Sequence, residues 1–191
     1  MSAPALIVKL GGSGAASPLL GAWLAAIAAA RGRVVLVPGG GPFADAVRAA
    51  QTTLGFDDAA AHAMALLAMA QYAIFLASRA ELLTLADSPA AIARACTAGR
   101  VPVWTPPVAL GPADGVAASW DVTSDSLALW LARLLAAPRL LLIKPRAGGV
   151  DLLDVAFAGL RAGYAGRVWI AGPEHLPRTG IDPLAPPGVE L

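Results

Sequence analysis

Two lysines and a set of glycines carry the first chemical signal in this 191-residue chain. The chain holds 14 basic residues, and only Lys9 and Lys144 among them are lysine. Each follows a short apolar run, Leu6-Ile7-Val8 before Lys9 and Leu140 to Ile143 before Lys144. Each precedes glycines: Gly11, Gly12 and Gly14 after Lys9, with Ser13 between them, and Gly148 and Gly149 after Lys144. A third glycine run, Gly39-Gly40-Gly41, follows the apolar Val34 to Val37. Glycine lets backbone amides approach a ligand closely, and a helix beginning just beyond adds a partial positive charge. Compact ammonium groups beside such amides suit a phosphoryl group in transfer. The plainer reading is that these glycines make turns and the lysines run their stems along apolar surface. Three successive glycines in an alanine-rich chain weigh against turns alone, because alanine orders at lower entropic cost.

Acids complete the candidate set. Asp125 lies in Thr123-Ser124-Asp125-Ser126, at the start of a helical pattern, where it could orient the lysines or meet a metal, or simply suit the helix dipole. Asp45 follows Gly41 by four residues on the first turn of the next helix, where it could face the substrate or simply complement the dipole. Asp151 and Gly172 follow the fourth and fifth apolar runs and are further candidates at the strand ends. His62 sits mid-helix and reads as a core residue, and the five tryptophans read as packing.

The positioning elements follow from pattern. Continuous apolar runs at 6–8, 34–37, 101–104, 140–143 and 168–170 read as parallel strands covered on both faces. Between them lie helices at 17–31, from Pro42, at 57–79, after Ser88-Pro89, at 124–136 and at 151–162. The alternation predicts an α/β, doubly wound, mainly parallel sheet with helices on both faces. Ligands of such sheets bind at the carboxyl ends of the strands, where every glycine-lysine feature collects. We expect one domain over 1–191, with a proline- and glycine-rich boundary near 105–115 dividing two lobes, 1–115 and 116–191.

Composition narrows the class. Hydrophobic residues make up 57% and charged ones 14%, which implies a globular chain with apolar surface buried between subunits. A net charge of +1 gives no general attraction to nucleic acid or to an anionic membrane. One cysteine cannot form an internal disulfide, and with no signal peptide legible the cytoplasm is the expected location. The uncharged stretch 59–78 is long enough to span a bilayer, but its alanines and polar residues favour a buried or interfacial helix. Other motif chemistries fall away. Gly12-x-Gly14-x-x-Ser17 approaches the dinucleotide fingerprint but lacks the acid after the next strand, and the P-loop, zinc spacing and GxSxG are absent.

The succession V-K-L-G-G-S (8–13), V-P-G-G-G-P-F-A-D (37–45) and S-D-S (124–126) resembles the amino acid kinase family, which includes aspartate, acetylglutamate, carbamate and uridylate kinases. The resemblance covers about residues 5–172. Within the family, so small a chain is most similar to the branch of archaea and methylotrophs that phosphorylates an aminomethylfuran phosphate on the way to methanofuran-type cofactors. The resemblance implies a three-layer sandwich and an ATP- and Mg2+-dependent kinase, with an acceptor side over 1–115 and a nucleotide side over 116–191 that holds Gly148, Gly149, Asp151 and Gly172. Lys9 would touch the transferred group, and Gly11, Gly12, Gly40 and Gly41 would donate amides to it. Asp125 would position the lysines, and homodimers or larger assemblies would form through helix 57–79. The chain departs from the family after the fourth strand. Lys144-Pro145-Arg146-Ala147-Gly148-Gly149-Val150-Asp151 replaces the usual Thr-Asp and Asp-Gly-Val-Tyr, and the later segment with a second lysine is missing. The nucleotide lobe is therefore read as shortened, with Lys144 standing in for that lysine. The alternative is a non-catalytic nucleotide- or oxyanion-binding protein of the same fold.

Overall fold

The computed structural model describes residues 4–146 and 148–191; Ala147, in the third glycine loop, lies outside them. Five strands stand where apolar runs predict them: β1 (Leu6–Leu10), β2 (Val34–Pro38), β4 (Val101–Trp104), β5 (Arg139–Ile143) and β6 (Arg167–Ala171). Two more, β3 (Leu83–Ala86) and β7 (Val189–Glu190), complete one sheet of order β3-β4-β2-β1-β5-β6-β7. All neighbouring strands are parallel except β6 and β7. The sequence reading missed β3 because it is only four residues long and lies on the sheet edge, where Leu85 stays exposed.

Helices cover both faces. One core layer joins Ile7, Val35, Val37, Leu140 and Leu142 to α4 (Pro89–Thr97), α5 (Ser124–Leu134) and α6 (Phe157–Arg161). The other joins Leu6, Val8, Val34, Leu36 and Leu141 to α1 (Leu20–Ala28) and to Tyr72, Ala73 and Leu76 of α3 (Asp58–Ala77). Strand side chains alternate between faces. Lys9 therefore shares the α5 face with Ile7, and Lys144, just past β5, continues the face of Leu140 and Leu142.

α2 (Gly41–Leu54) ends at Gly55, whose φ of 72° closes the helix in the left-handed region that favours glycine. Helix α3 is capped by Asp57, whose carboxylate accepts the Ala60 N–H at 2.8 Å. It is long and apolar enough to cross a bilayer by length and composition, yet its Leu66, Met69, Tyr72, Ala73 and Leu76 are buried in the core. Two helix expectations need correction. The first helix is shorter than 17–31, running Leu20–Ala28. The helix expected over 151–162 does not form as one piece. A 3-10 turn at Val150–Leu152 gives way to extended backbone at Leu153, φ −87° and ψ 155°, before α6 begins. The physical reason is Asp154, which turns inward to bond the amino end of α5.

Candidate active site

At the carboxyl ends of β1 and β5, Asp125 stands between the two lysines. Lys9 Nζ lies 3.0 Å from Asp125 Oδ1, and Lys144 Nζ donates to Oδ2. Lys144 Nζ also donates to the Leu152 carbonyl at 2.7 Å. All three side chains are buried. Lys9 thus meets Oδ1 at ion-pair distance, and Lys144 meets Oδ2. Burial pushes the Asp125 carboxyl up, but the ammonium groups of Lys9 and Lys144 outweigh it and hold it below its ordinary range. Burial, together with the like charge of Lys9, pulls Lys144 below its usual value against the opposing pull of Asp125 and Asp154.

The first two glycine loops are in direct backbone contact. A Cβ on Gly12 would fall 2.0 Å from the Gly41 nitrogen, and one on Gly39 would fall 2.3 Å from the Gly12 nitrogen. Gly39 N–H donates to Leu10 O at 2.9 Å, carrying the β1–β2 pairing into the turns. Gly41 opens α2 with φ +57°, and a Cβ there would sit 3.1 Å from the Tyr72 ring. Gly40, at the cap of α2, has no side chain to bond it, so among the described residues the amides of its first turn meet no side-chain acceptor. Gly11 leaves room for chemistry of another kind: a Cβ there would approach Lys9 Nζ to 3.1 Å.

Beside these loops lies a cavity of about 290 Å³. Lys9, Gly12, Ser13, Gly40 and Gly41 form one end, and Thr123 and Ser124 of the α5 amino end another. Leu66, Met69, Trp120 and Val122 supply apolar walls. The Arg48 guanidinium lies 4.3 Å from the centre of the Trp120 ring and pairs with the exposed Asp45 at 3.2 Å. Trp120 Nε1 donates to Gln51 Oε1 at 2.6 Å, and His62 Nε2 bonds the Leu110 carbonyl at 3.0 Å. These two contacts fasten the segment between β4 and α5 to α2 and α3. A larger open groove, about 910 Å³, is lined by Arg133, Arg139 and Arg167 at the opposite ends of β5 and β6. It lies away from the lysines and glycine loops, so the smaller cavity is the candidate site.

Lys9, Gly12, Ser13, Gly40, Gly41 and Asp45 thus share one cavity, with Gly11 and Gly39 in its supporting turns and Asp125 beneath Lys9. The nucleotide-side residues do not close a site of their own. Asp151 is exposed, pairs with Arg146 at 3.1 Å and accepts the Gly149 N–H at 2.9 Å. Gly172 N–H donates to His175 Nδ1 at 3.1 Å. Gly148 packs beside the flexible Leu152 side chain. The opening between Gly11, Gly14, Lys144, Pro145 and Pro173 holds only about 30 Å³. Sequence reasoning missed Arg48, Met69 and Asp154, and it read His62 and Trp120 as core and packing residues; His62 does have a backbone partner in the Leu110 carbonyl, and both line the cavity. Asp45 and Arg48 are spaced i, i+3, and His62, Leu66 and Met69 i, i+4, i+7, so helical spacing offered a signal. Nothing local marked Trp120 or Asp154, which arrive from loops.

No curated protein matches the chain in sequence. Among solved structures it is similar to uridylate kinase from Archaeoglobus fulgidus, with a TM-score of 0.64, 14% identity, and coverage of 86% of this chain and 89% of that one. It is similar to UMP kinase from Ureaplasma parvum, with a TM-score of 0.64, 13% identity, and coverage of 90% of each. It also aligns with N-acetylglutamate synthase from Neisseria gonorrhoeae, at a TM-score of 0.56 and 17% identity, over 97% of this chain and 60% of that one. These likenesses bear on the fold, the mainly parallel α/β sheet described above. The family model of the amino acid kinase family matches residues 4–148, which takes in both glycine turns, Asp125 and Lys144, and the chain belongs to that family.

Proposed function

We propose that this protein is an ATP-dependent kinase that transfers the γ-phosphoryl group in line to a small acceptor bound in the 290 Å³ cavity. The observation that carries the reading is Asp125 bridging two buried lysines beside the amides of two touching glycine turns. Phosphoryl transfer asks a protein mainly for positioning and charge neutralisation. Lys9 belongs both to the ion cluster and to the cavity wall, so its ammonium would meet charge on a transferring group. The amides of Gly11, Gly12, Gly40 and Gly41 would donate to that group's oxygens, with Ser13 beside them. Asp125 would hold both lysines in place, and no covalent intermediate is required. ATP, when bound, supplies the phosphoryl group, with Mg2+ carried on its phosphates to spread their charge. The lysines and glycine amides suit the phosphates, and Gly148, Gly149, Asp151 and Gly172 would serve the nucleotide.

The cavity lies at the small end of the roughly 300–1,000 Å³ of ligand pockets, so the acceptor is compact. An aminomethylfuran phosphate is our specific candidate, its ring suited to apolar walls and its phosphate to Arg48. We read the chain as one domain with acceptor and nucleotide sides, working in the cytoplasm as a homodimer or larger assembly. Exposed Met64, Leu67, Ile74 and Phe75 form an apolar stripe on α3 that supports such an interface. The narrow nucleotide opening favours a second reading, a nucleotide- or oxyanion-binding protein that transfers nothing. Calorimetry of Mg-ATP on wild type and Lys9→Ala, followed by phosphorus NMR with furan amines and their phosphates as acceptors, separates the two. Transfer that Lys9→Ala loses supports the kinase. Binding without transfer to any acceptor supports the second reading.

A further inference from the structure

The carboxylate of Asp154 gathers four hydrogen bonds from the start of α5. It accepts from Thr123 N at 2.9 Å, Thr123 Oγ1 at 2.8 Å, Ser126 N at 3.0 Å and the Ser126 hydroxyl. Thr123, the residue at the helix cap, reaches the Asp125 amide only at 3.5 Å. The capping of α5 therefore comes chiefly from a residue 28–31 positions away in sequence. Two residues earlier on the same segment, the Leu152 carbonyl accepts from Lys144. This short extended strap thus grips the helix that carries Asp125 and, separately, one of its lysines. The charge balance points the same way. Lys9, Lys144 and Asp125 alone would leave a buried excess of one positive charge, and Asp154 supplies the second negative one.

We propose that Asp154 is the positioning residue of this site, locking the amino end of α5 so that Asp125 stays between Lys9 and Lys144. The charged groups that act on Lys144 are Lys9 on β1, Asp125 on α5 and Asp154 on the strap, with the Leu152 carbonyl as its neutral partner. Asp154→Asn keeps the shape but removes the charge, and its NH2 cannot accept from the donors it faces. Losing that charge and slackening the Asp125 contact both favour neutral Lys144, so its titration should move to lower pH. This part is independent of the kinase reading. The effect on turnover rests on that reading: kcat should fall by about 10²-fold, as for a misplaced catalytic group, with KM little changed.

The test follows the Lys144 ammonium by 15N NMR against pH in wild type, Asp154→Asn and Asp154→Glu, with kcat and KM measured alongside. A lower Lys144 midpoint in Asp154→Asn, moved back toward wild type in Asp154→Glu, is the expected result. An Asp154→Asn protein that is less stable but keeps the wild-type Lys144 midpoint would show an ordinary structural cap and overturn the proposal. Should Asp154→Asn fail to fold, Ser126→Ala removes one contact only, and an unchanged Lys144 midpoint there overturns it equally. If the wild type transfers no phosphate, the kinase reading fails while the NMR result still decides the role of Asp154.

Discussion

Replacing Asp125 by asparagine removes the one carboxylate that touches both lysines, and the cost can be worked from the geometry. At 3.0 Å and an effective dielectric constant of about 20, one ammonium–carboxylate attraction is worth about 5–6 kcal/mol before desolvation offsets it. Breaking a buried pair by removing one partner costs about 3–5 kcal/mol, because the remaining charge stays buried. Here two ammonium groups are stranded together, so the upper end of that range applies. Domains are typically stable by about 5–15 kcal/mol, so Asp125→Asn should fold only marginally at neutral pH. The sign of the pH dependence is fixed by the same geometry. The folded Asp125 titrates below its ordinary 3.8, so it contributes stability above that value that is lost as pH falls through the lower, folded one. Asp125→Asn should lack this acid-side loss. The folded Lys144 titrates below its ordinary 10.5, so between the folded value and 10.5 the unfolded chain binds more protons and stability rises with pH. That rise should begin at lower pH in Asp125→Asn, where Asp154 alone still opposes proton release from Lys144. Urea denaturation from pH 3 to pH 10 reads both limbs. A variant as stable as wild type at pH 7, with the same pH slopes, would refute the view that Asp125 holds this cluster together.

Further outcomes follow from the same site. Lys9→Ala leaves Asp125 paired with Lys144, so the protein should fold while phosphoryl transfer drops by about 10²–10³-fold, checked by circular dichroism and steady-state kinetics. Gly12→Ala drives a methyl into the Gly41 nitrogen, and prying the two loops apart should cost about 1–3 kcal/mol or more, measured as a fall in thermal midpoint. Trp120→Ala strips a cavity wall, the platform under Arg48 and the bond to Gln51, and should raise KM for the acceptor more than KM for Mg-ATP. Leu67→Asp, on the exposed stripe of α3, should convert an assembled form to monomer in sedimentation while leaving the fold intact.

Much of this arrangement is written locally. Five of the seven strands are continuous apolar runs, because a parallel strand covered on both faces has no polar side to show. The turn glycines are legible because their conformations and contacts exclude a side chain, as Gly12, Gly39 and Gly41 show. The alternation of strand side chains even aligns Lys9 with Ile7 and Lys144 with Leu142 on the α5 face. What only the tertiary structure decided is which distant groups meet there. Local pattern leaves Asp125 both readings, orienting the lysines or serving its own helix, and the fold is what puts its carboxylate between two strands. That choice depends on Asp154, some 30 residues on, taking over the capping of α5. The same inward turn breaks the helix that local pattern predicts over 151–162. Trp120 likewise becomes a cavity wall only because Gln51, on another element, receives its indole N–H. Local propensity and periodicity set the elements, whereas the site is made of contacts between segments that share no local sequence, and the packing of the whole sheet brings those segments together.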